Sequence, residues 1–459
     1  MPAKFVEFFR PRAIRLAPIL LLSFLVWGHS LCAAQSSGGG PSGGDAPTMQ
    51  NHDQSATVSA QVSSASPLSA ERRAEAIAYA RADHQFFFLQ LVWTVAVLLV
   101  VLRVGVARRF RNWAESLAQD RFMQALIFAP ALLLALDALL LPVDAASHWL
   151  QRDFGQSVQG WGPWLVSQAK SDVLAAAAGA LLVWLVSTIM RRSPRHWWFY
   201  GWLGVLPVLI FSAFVNPVLI DPLFYHFTPL ADSQPELVRQ LERVVARSGQ
   251  RIPENRIFLM DASRNIKDVN AYVTGFGASA RVVVWDTTVA RMTTPEILCM
   301  FGHELGHYVL RHRIQSLAFS MAVLLLVCWI GFHSFRWAVR RFGDAWGLRG
   351  VDDWASLPLA LLLLYLLNTA SAPVQNAFQR HLEHEADQYG LEVVHGVVPN
   401  SAEVAAEGFK LLGEIDLSDP SPSTLVKIWF YDHPPLGERI QFAYDYNPWA
   451  AGKAPRFVK

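Results

Sequence analysis

Phe301-Gly302-His303-Glu304-Leu305-Gly306-His307-Tyr308 is the stretch around which the rest of the chain must be arranged. On an α-helix residues four apart share a face, so His303 and His307 can aim ring nitrogens at one ion while Glu304 projects beside them. That geometry suits metal-assisted hydrolysis: a zinc ion lowers the pKa of a water to about 7, and a neighbouring carboxylate takes the proton. A helix is therefore required here, and the flanking residues supply its signals. Thr293-Thr294-Pro295-Glu296 offers an N-cap, a proline tolerated in the first turn and an acid at the positive end of the macrodipole. From Ile297 the helical pattern runs past His307 without a breaker.

A catalytic zinc also needs a third protein ligand and an open position. Candidates lie in Arg380-His381-Leu382-Glu383-His384-Glu385-Ala386-Asp387. Glu383 and Asp387 are four apart, so one carboxylate can bind the ion while the other orients a ligand imidazole. His381 and His384 compete for the place of third ligand, and Glu385 is expected on the opposite face.

With 459 residues, 53% hydrophobic and only 17% charged, the chain is too apolar for an ordinary soluble enzyme. Six apolar spans are expected, at 86–106, 122–143, 172–190, 197–219, 316–335 and 356–376, each near the roughly 20 residues that cross a bilayer core. They exclude a secreted soluble protease. A net charge of +2 gives no argument for a nucleic-acid partner. Cys32, Cys299 and Cys328 are widely spaced and form no Cys-x-x-Cys pair, so neither a disulfide framework nor a thiolate metal site is expected. Asp137, inside the second span, is an intramembrane carboxyl and a functional candidate by default.

The amino-terminal residues 1–34 read as a signal peptide or anchor. Lys4, Arg10, Arg12 and Arg15 precede an apolar run, and Leu31-Cys32-Ala33-Ala34 offers small residues for cleavage. Residues 35–85 comprise a Gly/Ser-rich linker followed, from 68 to 84, by a short surface helix. A four-span membrane region over 86–227 comes next, then a metallopeptidase region over 228–459 with two further spans. Arginines crowd the loops after the first, third and fifth spans, which places those loops in the cytoplasm. The zinc unit then faces away from the cytoplasm, in a multi-pass protein of the plasma (inner) membrane. Asn216 and the two prolines after it end the fourth span.

Within 234–313, Pro235 to Ser248 is an amphipathic helix with Leu237, Leu241, Val244 and Val245 on one stripe. Arg256 to Asp261 is strand-like, and 269–273 and 281–285 form a hairpin across a glycine-bearing loop. A strand edge beside a zinc cleft can pair with an extended peptide.

Asp432-His433-Pro434-Pro435-Leu436-Gly437-Glu438-Arg439 completes the set of motifs, and Asn270-Ala271-Tyr272-Val273-Thr274-Gly275-Phe276 belongs to it too. Proline after His433 fixes its backbone, so its ring can be aimed as a donor at a developing oxyanion. Asn270 can hydrogen-bond a peptide backbone, while Arg439 can pair with Glu438 or Asp432. Together with His303–His307, Glu383–Asp387 and Ile220–Phe224, these stretches resemble the type I CAAX prenyl endopeptidases, integral-membrane zinc proteases of the gluzincin group, over about residues 86 to 446.

The resemblance implies a polytopic α-helical membrane protein with a small α+β zinc-protease unit at the membrane surface. It implies one Zn2+ per chain on His303, His307 and Glu383, with Glu304 as base and Asp387 supporting the site. It implies that Asn270, His433 and Arg439 contact the substrate or its oxyanion, and that the spans enclose a water-filled chamber. Members of that family have seven spans and a cytosolic zinc unit, whereas the charge bias here points outward; the export signal and linker look bacterial. The expected substrates are polypeptides that are membrane-associated, lipidated (CAAX-like) or misfolded, and the lipid bilayer is the other partner. A protease with its zinc inside the bilayer is the lesser reading, because the motif precedes a span and Arg311-His312-Arg313 lies at its mouth. The alternative of another class is a non-catalytic zinc-binding membrane scaffold or transporter, for which Glu304 would be dispensable.

Overall fold

A computed structural model describes residues 70–157, 159–210, 225–264, 269–275 and 280–458. The expected signal or anchor, most of the linker, and the end of the fourth span at Asn216 lie outside these residues. In the membrane half, α1 (Ala70–Val104) leads through Gly105, which adopts φ 74°, into α2 (Val106–Leu117). α3 (Arg121–Asp153), α4 (Trp161–Arg192) and α5 (Trp197–Ile210) follow. Asp120 caps α3, its carboxylate accepting from the backbone N–H groups of Phe122 and Met123.

Among the described residues five helices are long and apolar enough to cross a membrane. They are α1, α3, α4, α9 (His312–Trp346) and α10 (Leu357–Val394). The described part of the fourth expected span, α5, has 14 residues. The expected surface helix over 68–84 is not a separate element. Ala, Glu and Arg favour helix, and neither Pro nor Gly separates them from the apolar run, so α1 continues without a stop. Its first half buries Ala76 and Tyr79 against Leu150 and Leu417.

The membrane helices share one core containing Leu98, Phe128, Leu132, Leu136, Leu361 and Tyr365. Asp137 is buried in α3 rather than turned to lipid. The arginine-rich loops gather at one end of the helices. Arg111 pairs with Asp353 at 2.5 Å, Arg349 with Glu115 at 2.9 Å, and Arg121 Nη2 donates to Ser187 Oγ at 3.3 Å. Because α9 starts beside His307 and ends beside this cluster, the arginine end and the histidine motif lie at opposite ends of α9 and α10.

The second core belongs to the smaller α+β unit. Its sheet has the order β1 (Phe227–Pro229), β2 (Ile257–Met260), β4 (Arg281–Trp285), β3 (Ala271–Thr274). β1 and β3 are antiparallel to their neighbours, and β2 runs parallel to β4 with Ile257 opposite Val282. The expected hairpin is β3 with β4, and β3 is an edge strand. α6 (Pro235–Arg247) buries Leu237, Leu241, Val244 and Val245, all four members of its expected stripe. After α7 (Asp286–Arg291), α8 (Thr294–Val309) begins at a capping box in which Glu296 accepts from the Thr293 N–H at 2.7 Å. α8 buries Ile297, Phe301 and Leu305 completely or nearly so, each worth about 1.5–3 kcal/mol over exposure, and thereby presents His303 and His307 on its other side. α11 (Ser401–Asp416), α12 (Thr424–Phe430) and α13 (Leu436–Asp445) complete the unit.

Candidate active site

The site forms where α8 crosses α10, and two glycines permit the crossing. A Cβ on Gly390 would stand 2.9 Å from the backbone nitrogen of His303, and one on Gly302 would stand 3.0 Å from Cγ1 of both Val393 and Val394. No other residue allows main chains to approach so closely. Glu383, Asp387 and Gly390 are spaced i, i+4, i+7 and lie on one stripe of α10, so fixing Gly390 against α8 also delivers both carboxylates.

His303, His307 and Glu383 offer ligand atoms that all lie within 4.8 Å of one another, a group that can hold a metal ion. Glu383 is fully buried, and its Oε1 accepts from Gln379 Nε2 at 2.8 Å. Its Oε2 is buried with no hydrogen-bond partner, at 3.3 Å from His303 Nε2, 3.5 Å from His307 Nε2 and 3.4 Å from His433 Nε2. An unpaired buried carboxylate oxygen is costly unless a cation neutralises it, so the donor set fits a metal. The field agrees. Burial alone would lower the pKa of His303, yet its hydrogen bond to Asp387 and the nearby negative charges of Asp387 and Glu383 outweigh burial and push it up to about 10. For His433 burial also acts downward, and the charges of Glu383 and Asp432 raise it to about 9. A site that draws protons this strongly draws a divalent cation for the same reason. Burial pushes the Glu304 carboxyl above its ordinary range against the pull of His303 and His307.

Asp387 accepts from His303 Nδ1 at 2.8 Å and is gripped from the other side by Arg439, through Nε at 2.9 Å and Nη2 at 2.6 Å. Arg439 therefore pairs with neither Glu438 nor Asp432: Lys427 binds Glu438, and His433 Nδ1 lies 2.9 Å from Asp432 Oδ1. Asn270 is buried at the start of β3, where its backbone N–H donates to Thr288 Oγ1 at 2.6 Å. Of the competing ligands, His381 is 61% exposed and His384 packs over Phe442, both away from the cluster. Glu385, expected on the face opposite Glu383, stands outside the ligand group, and its carboxylate reaches His312 and Arg456. His312 was unassigned in sequence, and it stands with Nδ1 3.0 Å from His307 Nδ1. The chain reverses at Arg311, which adopts φ 59°, and helical spacing gives no hint of a contact across that turn. A cavity of about 440 Å3 borders Asp387 and Arg439 but not His303 or His307.

The sequence profile of peptidase family M48 matches residues 231–446, and that of the CAAX prenyl protease N-terminal region, five membrane helices, matches 50–226. Among similar proteins is one of Bacillus subtilis (strain 168) named "Uncharacterized metalloprotease YhfN", 33% identical over 365 residues, 80% of this chain and 84% of that one. CAAX prenyl protease 1 of Saccharomyces cerevisiae is 29% identical over 398 residues, again 80% of this chain and 84% of that one. The crystal structure of S. mikatae Ste24p superposes with a TM-score of 0.67 over 97% of this chain and 100% of that chain, at 23% identity, and so shares the fold. With the motifs, the crossing helices and these likenesses in place, the chain is a member of peptidase family M48 and a multi-span membrane metalloprotease.

Proposed function

We propose that the protein is a zinc metalloendopeptidase acting on membrane-associated, lipidated (CAAX-like) or misfolded polypeptides. The observation that carries this reading is Glu383 Oε2, buried and without a donor among three imidazole nitrogens. His303, His307 and Glu383 would hold one Zn2+, which supplies a Lewis acid for the water and the scissile carbonyl. Glu304 takes the proton of the attacking water and passes it to the departing amine; its raised pKa suits both halves of that task. His433 donates from Nε2 to the carbonyl oxygen as charge develops there, with Asp432 behind it on Nδ1. Asp387, held by Arg439, fixes the ring of His303.

β3, the end strand of the described sheet, receives an extended peptide by main-chain pairing, with Asn270 and Arg439 as further substrate contacts. Pairing of this kind imposes little sequence preference. Membrane delivery then selects the substrate, and the name of the yeast relative, CAAX prenyl protease 1, supports a lipidated class. The arginine-rich end of the helices favours a cytoplasmic placement for that end and an extracytoplasmic one for the site, in the inner membrane.

The test is hydrolysis of an unstructured or lipidated reporter peptide by purified protein in detergent, beside Glu304→Gln, with zinc counted in both. The expected outcome is about one zinc in each and a turnover lower by about 10²- to 10⁴-fold in the variant. Equal turnover in parent and variant would remove Glu304 as the base. Bound zinc with no cleavage by the parent of either reporter would return the protein to the scaffold or transporter reading.

A further inference from the structure

The two histidines of the cluster present the same face to Glu383 and differ in what stands behind them. His303 Nδ1 is backed by the Asp387 carboxylate at 2.8 Å, whereas His307 Nδ1 is backed at 3.0 Å by another imidazole, Nδ1 of His312. His312 opens α9 and is 2% exposed. A histidine that gives its Nε2 lone pair to a cation carries its proton on Nδ1. His307 Nδ1–H must then donate, His312 Nδ1 must accept, and neutral His312 keeps its own proton on Nε2. That Nε2 is buried with no partner at hydrogen-bond distance. The acceptor facing it is Glu385 Oε2 at 3.6 Å, and Arg456 Nη2 holds the other oxygen of Glu385 at 2.7 Å.

We propose that His312 is a positioning residue for the metal centre: it fixes the tautomer and ring plane of His307, and Glu385, steadied by Arg456, fixes His312 in turn. The inference rests on the reading that His307 is a ligand. It gives the two ligand histidines unequal supports. His303 leans on a full negative charge, and His307 leans on a neutral ring that faces the Glu385 carboxylate only across a further 3.6 Å. Such outer contacts typically contribute about 10- to 100-fold in metal affinity.

The experiment times the transfer of zinc from purified full-length protein in detergent to a chromophoric chelator, for the parent, His312→Leu and His312→Asn. Leu and Asn have nearly the same shape, but Asn places an acceptor oxygen about where Nδ1 stands. The expected result is release about 10- to 100-fold faster from His312→Leu, with most of that loss restored in His312→Asn. Equal release by parent and His312→Leu overturns the proposal, as does release from His312→Asn as fast as from His312→Leu, since only packing would then be at stake. Should the leucine variant fail to fold, Glu385→Gln takes its place; faster release supports the chain of contacts, and unchanged release overturns it. A parent that binds no zinc defeats the metal-site reading itself. A parent that binds zinc, loses it with His307→Ala and ignores His312→Leu defeats the positioning role alone.

Discussion

Two buried arginine–aspartate pairs sit at opposite ends of the long helices, and their surroundings set their uses apart. At the arginine-rich end, Arg111 and Asp353 meet at 2.5 Å with side chains 5% and 3% exposed. The rest of Asp353 is taken by backbone donors, Arg349 N at 2.8 Å and Ala355 N at 3.0 Å, so the pair is closed and its charge goes no further. At the other end, Arg439 and Asp387 meet at 2.6 Å with comparable burial, but the remaining capacity of Asp387 goes to His303 Nδ1. One pair ties α2 to the segment that precedes α10. The other passes its charge to a ring beside the buried Glu383. Composition does not distinguish them; only the identity of the next hydrogen-bond partner does.

The comparison can be broken at either end. Asp353→Ala leaves the Arg111 charge buried and unpaired, and should cost about 3–5 kcal/mol, read as a lower unfolding midpoint in detergent. Zinc per folded molecule should not change; a loss of zinc would mean that the two ends are not separable. Asp387→Asn keeps the shape and removes the charge behind His303, so zinc affinity should fall about 10- to 100-fold in a metal competition assay. An unchanged affinity would leave Arg439–Asp387 as another structural pair. The smallest effect is expected from Arg349→Ala. Its partner contact with Glu115 is 59% and 29% exposed, and its loss should move stability by less than about 1 kcal/mol with turnover intact.

The elements legible in the sequence were those whose signals are local. The helix start within Thr293–Glu296, the four-residue spacing of His303 and His307, the apolar stripe of α6 and the β3–β4 hairpin each depend on neighbours a few residues apart, and each stands where the pattern put it. The parallel pairing of β2 with β4 depends on contacts across the chain, which periodicity does not carry. Spacing alone shows Glu383 and Asp387 only as a pair, and the family resemblance assigns their separate roles; the close approach of Gly390 to α8, which brings both to the histidines, carries no local signal. His312 escaped because the turn at Arg311 separates it from the motif. Glu392 escaped for a similar reason: it is fully buried, and its carboxylate accepts the backbone N–H groups of Arg456, Phe457 and Val458 more than sixty residues away.

α10 runs unbroken from Leu357 to Val394, with Pro373 the proline inside it, so the rod that crosses the bilayer is also the rod that carries Glu383 and Asp387. At about 1.5 Å of rise per residue, any tilt forced on its apolar half by a thicker or thinner bilayer is carried along the same axis toward the carboxylates. Pro373 cannot donate the backbone bond at its position, and it marks where that lever can yield. The placement of Glu383 and Asp387 is thus tied, through a single helix, to the part of the chain that sits in the bilayer.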